Sequence, residues 1–234
     1  MAGSLKDPGT GSRLILSMTK VSPSVPDFSK GRAIEEESFA IIRRELGAQL
    51  PSGPEGEVVL RVIHATADLD FARNLRFHPR AIEVGLRVLR EGNPIFCDVR
   101  MVEVAIAPSA RRLGLETCCF IDQTTVMDMA RQRGLTRAEA AVELASKRPW
   151  SVMAIGNAPT ALLRALELIN QGRLKVGLLV GCPVGFVEAA RAKELLSLMD
   201  FPFITCLGNK GGSPVAAAVV NALIRLLLCE GKRP

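Results

Sequence analysis

The chain has 234 residues, 48% of them hydrophobic and 23% charged, with a mean hydropathy of +0.22, so it has enough apolar material for a sizeable core and does not resemble a disordered polymer. Of the net charge of +6, half falls in residues 1–32, where Lys6, Arg13, Lys20, Lys30 and Arg32 stand against only Asp7 and Asp27. There is no Tyr, Trp150 is the single Trp, and no basic run is interleaved with aromatic rings on which bases could stack, so no nucleic-acid partner is expected. No membrane partner is expected either, because the most apolar run, residues 215–229, is interrupted by Asn221 and Arg225.

Six cysteines lie mostly in apolar stretches and none forms a C-x-x-C pair, which points to buried free thiols in a reducing cytoplasm. With two histidines and no thiolate pairs at ligand spacing, no metal site is expected.

Residues 1–32 mix Gly, Ser, Pro and Lys and read as an N-terminal extension; their one apolar patch, Leu14 to Leu16, is too short for a secretory core. Met18 is a plausible native start, and a natural extension reaching back to Met1 is equally plausible. Residues 33–234 read as one domain. From Ile34 the pattern is helical, with Ile34, Ser38, Ile41, Ile42 and Glu45 on a 3.6-residue period and Gly47 at a C-cap position. A second helical stretch starts near Gly56, although the density of Val58, Val59, Val62 and Ile63 also suits a strand. A third helix is predicted from Pro79, a favoured first-turn residue, to Gly92.

Beyond Gly92 the sequence alternates. Apolar strand candidates at 95–99, 117–121, 152–155, 176–180 and 203–206 are separated mostly by helical segments. Strands this uniformly apolar belong to a parallel sheet covered on both faces, and right-handed crossovers place helices on each side. The expected fold is α/β and three-layered, with a mostly parallel central sheet.

Ligands in open parallel sheets bind at the carboxyl ends of the strands. Three late strands end in similar loops: Gly156-Asn157-Ala158-Pro159-Thr160, Gly181-Cys182-Pro183-Val184-Gly185 and Gly208-Asn209-Lys210-Gly211-Gly212-Ser213-Pro214. Such loops can gather exposed N–H groups and helix N-termini into a rim suited to anions. For any one loop, glycine and proline as mere strand terminators explain the composition equally well. None has the phosphate-binding G-x-x-x-x-G-K-[ST] spacing, and no G-x-G-x-x-G follows a strand.

Acid–base chemistry near neutrality has two candidates, His64 and His78. His78 precedes Pro79 and reads as a loop or helix-start residue. His64 interrupts the run Val62-Ile63-His64-Ala65, and Asp68 or Asp70 could orient its ring; on spacing alone a satisfied core histidine and a catalytic one are both open. No serine elbow is present. A thiolate from Cys97 or Cys182 beside His64 is conceivable but not readable from spacing. The acidic run Glu35 to Glu37 suits the first turn of a helix.

Taken together, residues 34–46 (IEEESFAIIRREL), 61–70 (RVIHATADLD), 94–102 (PIFCDVRMV), 151–162 (SVMAIGNAPTAL), 181–190 (GCPVGFVEAA) and 211–218 (GGSPVAAA) resemble the precorrin-8X methylmutase family, in the same order and over roughly residues 33–228. The resemblance implies an isomerase of cobalamin biosynthesis that moves a methyl group from C-11 to C-12 of a corrin precursor. It places His64 where the family's catalytic histidine stands, as a general acid that protonates a ring nitrogen and so opens a 1,5-sigmatropic shift. No cofactor is then needed. Ser38 and Arg137 match positions that look like substrate contacts, and Gly156, Asn157, Thr160, Gly181, Gly185, Gly211, Gly212 and Ser213 fall on the family's substrate rim, where a tetrapyrrole's acetate and propionate groups would be held. Bland alternatives are a helix-face hydroxyl for Ser38 and a surface cation for Arg137.

The resemblance also implies a homodimer with the site near the subunit interface. Glu103 stands where a small or amide-like residue is more usual, and residues 1–32 have no counterpart. The His64 to Asp68 segment leans toward the cobalt-precorrin-8 branch. A corrinoid carrier without chemistry, or an unrelated α/β enzyme for an anionic metabolite, would share the glycine loops but not the need for His64.

Overall fold

The computed structural model describes residues 29–230. Among these, six strands form one sheet in the order β1-β6-β5-β4-β2-β3: β1 (Leu75–Phe77), β2 (Ile95–Cys97), β3 (Thr117–Cys119), β4 (Trp150–Ile155), β5 (Val176–Gly181) and β6 (Phe203–Cys206). Every pairing is parallel except β1 on β6, where Leu75 faces Cys206 and Phe77 faces Ile204. This is the expected three-layer fold.

Alternation along the strands divides the core. Ile95, Cys97, Val152, Ala154, Leu178, Val180 and Ile204 point to one face. There they meet α1 (Ser29–Leu46), α2 (Gly53–Thr66), α4 (Ala81–Arg90), α5 (Arg100–Arg111) and α10 (Ser213–Glu230). Phe96, Met153, Ile155, Leu179 and Phe203 point to the other face, against α6 (Thr124–Arg133), α7 (Arg137–Ala145), α8 (Pro159–Asn170) and α9 (Ala189–Ser197). A one-residue period-2 slip would exchange these two cores, so burial on both faces pins the register.

Helix α2 settles the helix-or-strand ambiguity. Val58, Val59, Leu60, Val62 and Ile63 are all buried, in a helix packed against both α1 and α10, and burial on so many sides outweighs the modest helix penalty of β-branched residues. Helix α10 is long and apolar enough to cross a bilayer by length and composition, and more than half of it is buried inside the protein.

Several boundaries differ from expectation. Helix α1 starts at Ser29, so residues 29–32 of the expected extension form its first turn; residues 1–28, with the Met18 start, lie outside the described residues. The third helix is shorter, as residues 78–80 turn the chain and Ala81 begins α4. The strand β1 and the one-turn helix α3 (Phe71–Asn74) were missed, because three residues with an exposed Arg76 carry no legible period.

Candidate active site

His64 lies in the last turn of α2 and Ser38 in the middle of α1, and the Ser38 hydroxyl meets Nδ1 of His64 at 2.8 Å. Phe39 adds an edge-to-face contact to the imidazole, with ring centroids 5.2 Å apart. The hydroxyl fixes one ring nitrogen and the phenyl ring limits rotation, which leaves Nε2, without a hydrogen-bond partner among the described residues, as the nitrogen to act on a ligand. His64 borders an apolar groove of about 410 Å³ with Ile34, Ile41 and Leu69, and a second hollow of about 460 Å³ with Arg32 and Glu35.

One turn before each of these residues, a second pair ties the same helices together. Glu35 accepts from Arg61 and, at 2.7 Å, from Arg225 of α10. Partial burial pushes the Glu35 carboxyl up, but the Arg225 and Arg61 guanidiniums more than offset this and hold it below its usual range. The Arg61 guanidinium also lies over the Phe39 ring, 5.0 Å from its centroid.

Asp68 and Asp70 do not orient the imidazole. Both accept from Lys210 Nζ, at 2.7 and 2.6 Å, which ties the turn after His64 to the glycine-rich loop after β6. The hydrogen bond from Lys210 holds Asp68 below the usual carboxylate range. That loop is anchored from beneath by the fully buried Lys193, whose Nζ donates to the Lys210 carbonyl at 2.5 Å. Between Asp68 and His64 the chain turns at Ala67 with φ +53, a left-handed conformation that costs an L-residue about 1 kcal/mol.

The first glycine loop departs most from the expectation of donors left open to an anion. Three of its N–H groups are already used. Asp98, buried at the end of β2, accepts from Gly156 N at 3.1 Å, Asn157 N at 2.8 Å and Ala158 N at 3.0 Å. Strand order reverses between β2 and β4, so this carboxylate fills the switch-point crevice where a ligand would otherwise sit. Burial pushes the Asp98 carboxyl up, opposed by the backbone N–H groups that hold its charge. Nothing in a single Asp within CDVRM announces this role; the signal available was an acid directly after an apolar strand at a switch point.

The other rim glycines mostly serve close packing. A Cβ on Gly156 would fall 2.8 Å from Ser213 Cα, one on Gly181 2.6 Å from Leu196 Cδ2, and one on Gly211 2.4 Å from the Cys182 carbonyl oxygen. Gly212 N donates to that carbonyl at 2.8 Å, and Gly185 N donates to the Asn209 carbonyl at 3.1 Å, so the second and third loops are stitched together. Ser213 is buried at the start of α10.

Arg137 and Thr160 belong to α7 and α8, on the opposite face of the sheet from the helix that carries His64. Thr136, the N-cap of α7 just before Arg137, shares a 3.1 Å hydroxyl contact with Thr160 of α8. Arg137 itself is exposed and does not line the hollows at His64. Glu103 pairs with Arg100 at 2.6 Å in the first turn of α5. His78 is buried at the β1–α4 turn, where its Nδ1 accepts from Arg80 N at 3.2 Å. The thiol of Cys182 is held well above its usual range by its hydrogen bond with Cys206 and by burial, and that of Cys97 by burial; neither is an activated thiolate.

Comparison with known proteins matches residues 33–226 to the family described as precorrin-8X methylmutase. The cobalt-precorrin-8 methylmutase of Leptospira interrogans is 40% identical over 213 residues, covering 87% of this chain and 97% of that protein. The precorrin-8X methylmutase of Pseudomonas aeruginosa is also 40% identical, over 197 residues, covering 82% and 94%. A solved precorrin-8X methylmutase from Thermus thermophilus superposes with a TM-score of 0.79 at 40% identity, covering 86% of this chain and 98% of that one.

Proposed function

Because the chain belongs to the precorrin-8X methylmutase family, we propose that it moves the methyl group of precorrin-8X or cobalt-precorrin-8 from C-11 to C-12, with His64 as the general acid. The observation that carries this is the Ser38–His64 contact at the mouth of an apolar groove. In the cationic ring Nδ1–H donates to the Ser38 oxygen and Nε2–H faces the ligand. The Nε2 proton passes to a ring nitrogen of the pigment, the C-11–methyl bond breaks as the C-12–methyl bond forms, and the proton returns to Nε2. Nδ1 keeps its hydrogen throughout, so Ser38 holds one ring orientation in both protonation states. The mass of the pigment does not change.

The pigment's flat apolar macrocycle suits the groove of Ile34, Ile41 and Leu69, and its carboxylates suit the arginines beside it. A homodimer with the site near the interface is part of this reading. Its support is a set of large apolar side chains left exposed, among them Ile34 and Leu69 in the groove beside His64 and Val184 and Phe186 in the loop after β5, the last 93% exposed. Arg137, on the far side of the sheet from its own His64, is then available to a site shared between two copies. A cytoplasmic location accords with the five buried free cysteines.

Mixing the protein with each pigment form and following the visible spectrum and the mass of the extracted product tests the reading. A new chromophore at unchanged mass is expected, and the faster substrate identifies the branch. Pigment bound but never converted would favour a carrier.

A further inference from the structure

A cleft of about 510 Å³ opens between α1, α5 and α10, on the side of Glu35 away from the apolar groove. It holds four guanidiniums, Arg32, Arg61, Arg112 and Arg225, against the carboxylates of Glu35 and Glu36. Arg61 and Arg225 are both engaged by Glu35. Arg32 and Arg112 form no ion pair among the described residues, so the cleft keeps a positive surplus carried by two uncommitted forks. On the α10 wall Asn221 donates its Nδ2 to the Ala105 carbonyl at 3.0 Å, while its buried Oδ1 has no hydrogen-bond partner among the described residues.

We infer that this cleft is an oxyanion subsite in which Arg32 and Arg112 clasp a carboxylate. Guanidinium forks match carboxylate geometry, and a carboxylate supplies the negative charge that the two unpaired forks lack. The cleft adjoins the site at His64, because Arg32 and Glu35 line both it and the hollow that His64 borders. Arg32 precedes Ser38 by six residues on α1, about 9 Å along the helix axis. A macrocycle seated at His64 can therefore send a peripheral acid arm past Glu35 into the cleft. The oxyanion is either such an arm or a free anion of the same chemistry. The first source rests on the proposed function; the second does not.

Four variants separate these cases: Arg32→Gln with Arg112→Gln as a double change, each of the two single changes, and Lys147→Gln, which removes the same charge from an exposed position after α7. Each single arginine variant is expected to lower kcat/KM for the pigment roughly tenfold, chiefly through KM, and the double variant by more, as loss of a charge-assisted contact predicts. Lys147→Gln should leave both constants near wild type. Citrate, followed by thermal shift, should stabilise the wild type saturably and lose that effect in the double variant.

Pigment turnover unchanged in the double variant, with citrate stabilisation lost, assigns the subsite to a free anion. Unchanged turnover together with unchanged citrate response overturns the subsite and leaves the mutase reading standing. If the wild type neither binds nor converts pigment, the mutase reading fails, and the citrate comparison alone decides the cleft.

Discussion

Ser38 and His64, 26 residues apart in sequence and on separate helices, meet at 2.8 Å, and Glu35 and Arg61, one turn earlier on the same two helices, meet beside them. The acid–base group is thus held by the contact surface of two helices, and the turn that follows it is tied to the loop after β6 through Lys210. Loss of the Ser38 hydroxyl should loosen the imidazole without emptying the groove. Ser38→Ala is expected to lower kcat by about five- to tenfold, the worth of one hydrogen bond of roughly 1 kcal/mol, with little change in pigment affinity. Stopped-flow turnover beside equilibrium pigment binding measures both; an equal loss in affinity and rate would instead make Ser38 a binding contact.

The Glu35 clamp gives α1 its own acid sensitivity. A carboxyl held below its ordinary value of 4.5 contributes stability that is complete above that pH and is lost as pH falls through the depressed value. In urea titrations between pH 7 and 3, wild type should therefore exceed Glu35→Gln at neutrality and converge with it in acid. A gap that stays constant across the range would show that the clamp is not electrostatic.

Much of this architecture was legible in the residues. Fully apolar strands with helices between them announced a covered parallel sheet, and His64 stood out as one of two imidazoles in an apolar run. What misled was the glycine loops. Their composition promised open N–H donors, but composition cannot reveal that a carboxylate of the same chain, Asp98, already occupies three of them. Asp68 and Asp70 misled in the same way: proximity in sequence to His64 suggested a partner for the ring, and a lysine 140 or more residues away claims both. The Glu35–Arg61–Arg225 cluster joins three helices and left no local signal beyond the acidic run that also suits a helix start.

Asp98 is expected to matter for stability more than for chemistry. Asp98→Ala leaves three N–H groups of the β4–α8 loop without their acceptor and should cost about 3–5 kcal/mol, with Asp98→Asn costing less because one carbonyl oxygen remains. Gly156→Ala, by pressing a methyl toward Ser213 Cα at 2.8 Å, should cost about 1–3 kcal/mol. Chemical denaturation midpoints report both. A Gly156→Ala protein as stable as wild type would contradict the close packing of this loop on α10.

Lys210 joins the turn after His64 to the loop after β6, at an exposed position where ion pairs contribute little to stability. Lys210→Met should therefore barely move the unfolding midpoint, yet lower turnover several-fold by freeing that turn, and the deficit should shrink as salt weakens the wild-type pair. A clear fall in the unfolding midpoint would mean that the contact holds the fold and not only the site.

The central claim is that His64 supplies the proton that opens the methyl shift. The most direct measurement is single-turnover conversion of enzyme-bound pigment by wild type and by His64→Ala, monitored by absorbance and product mass. The account predicts that the variant binds pigment and converts it about 10²- to 10⁴-fold more slowly, with no change of mass in either case. Conversion at the wild-type rate by His64→Ala would place the acid elsewhere and contradict the account.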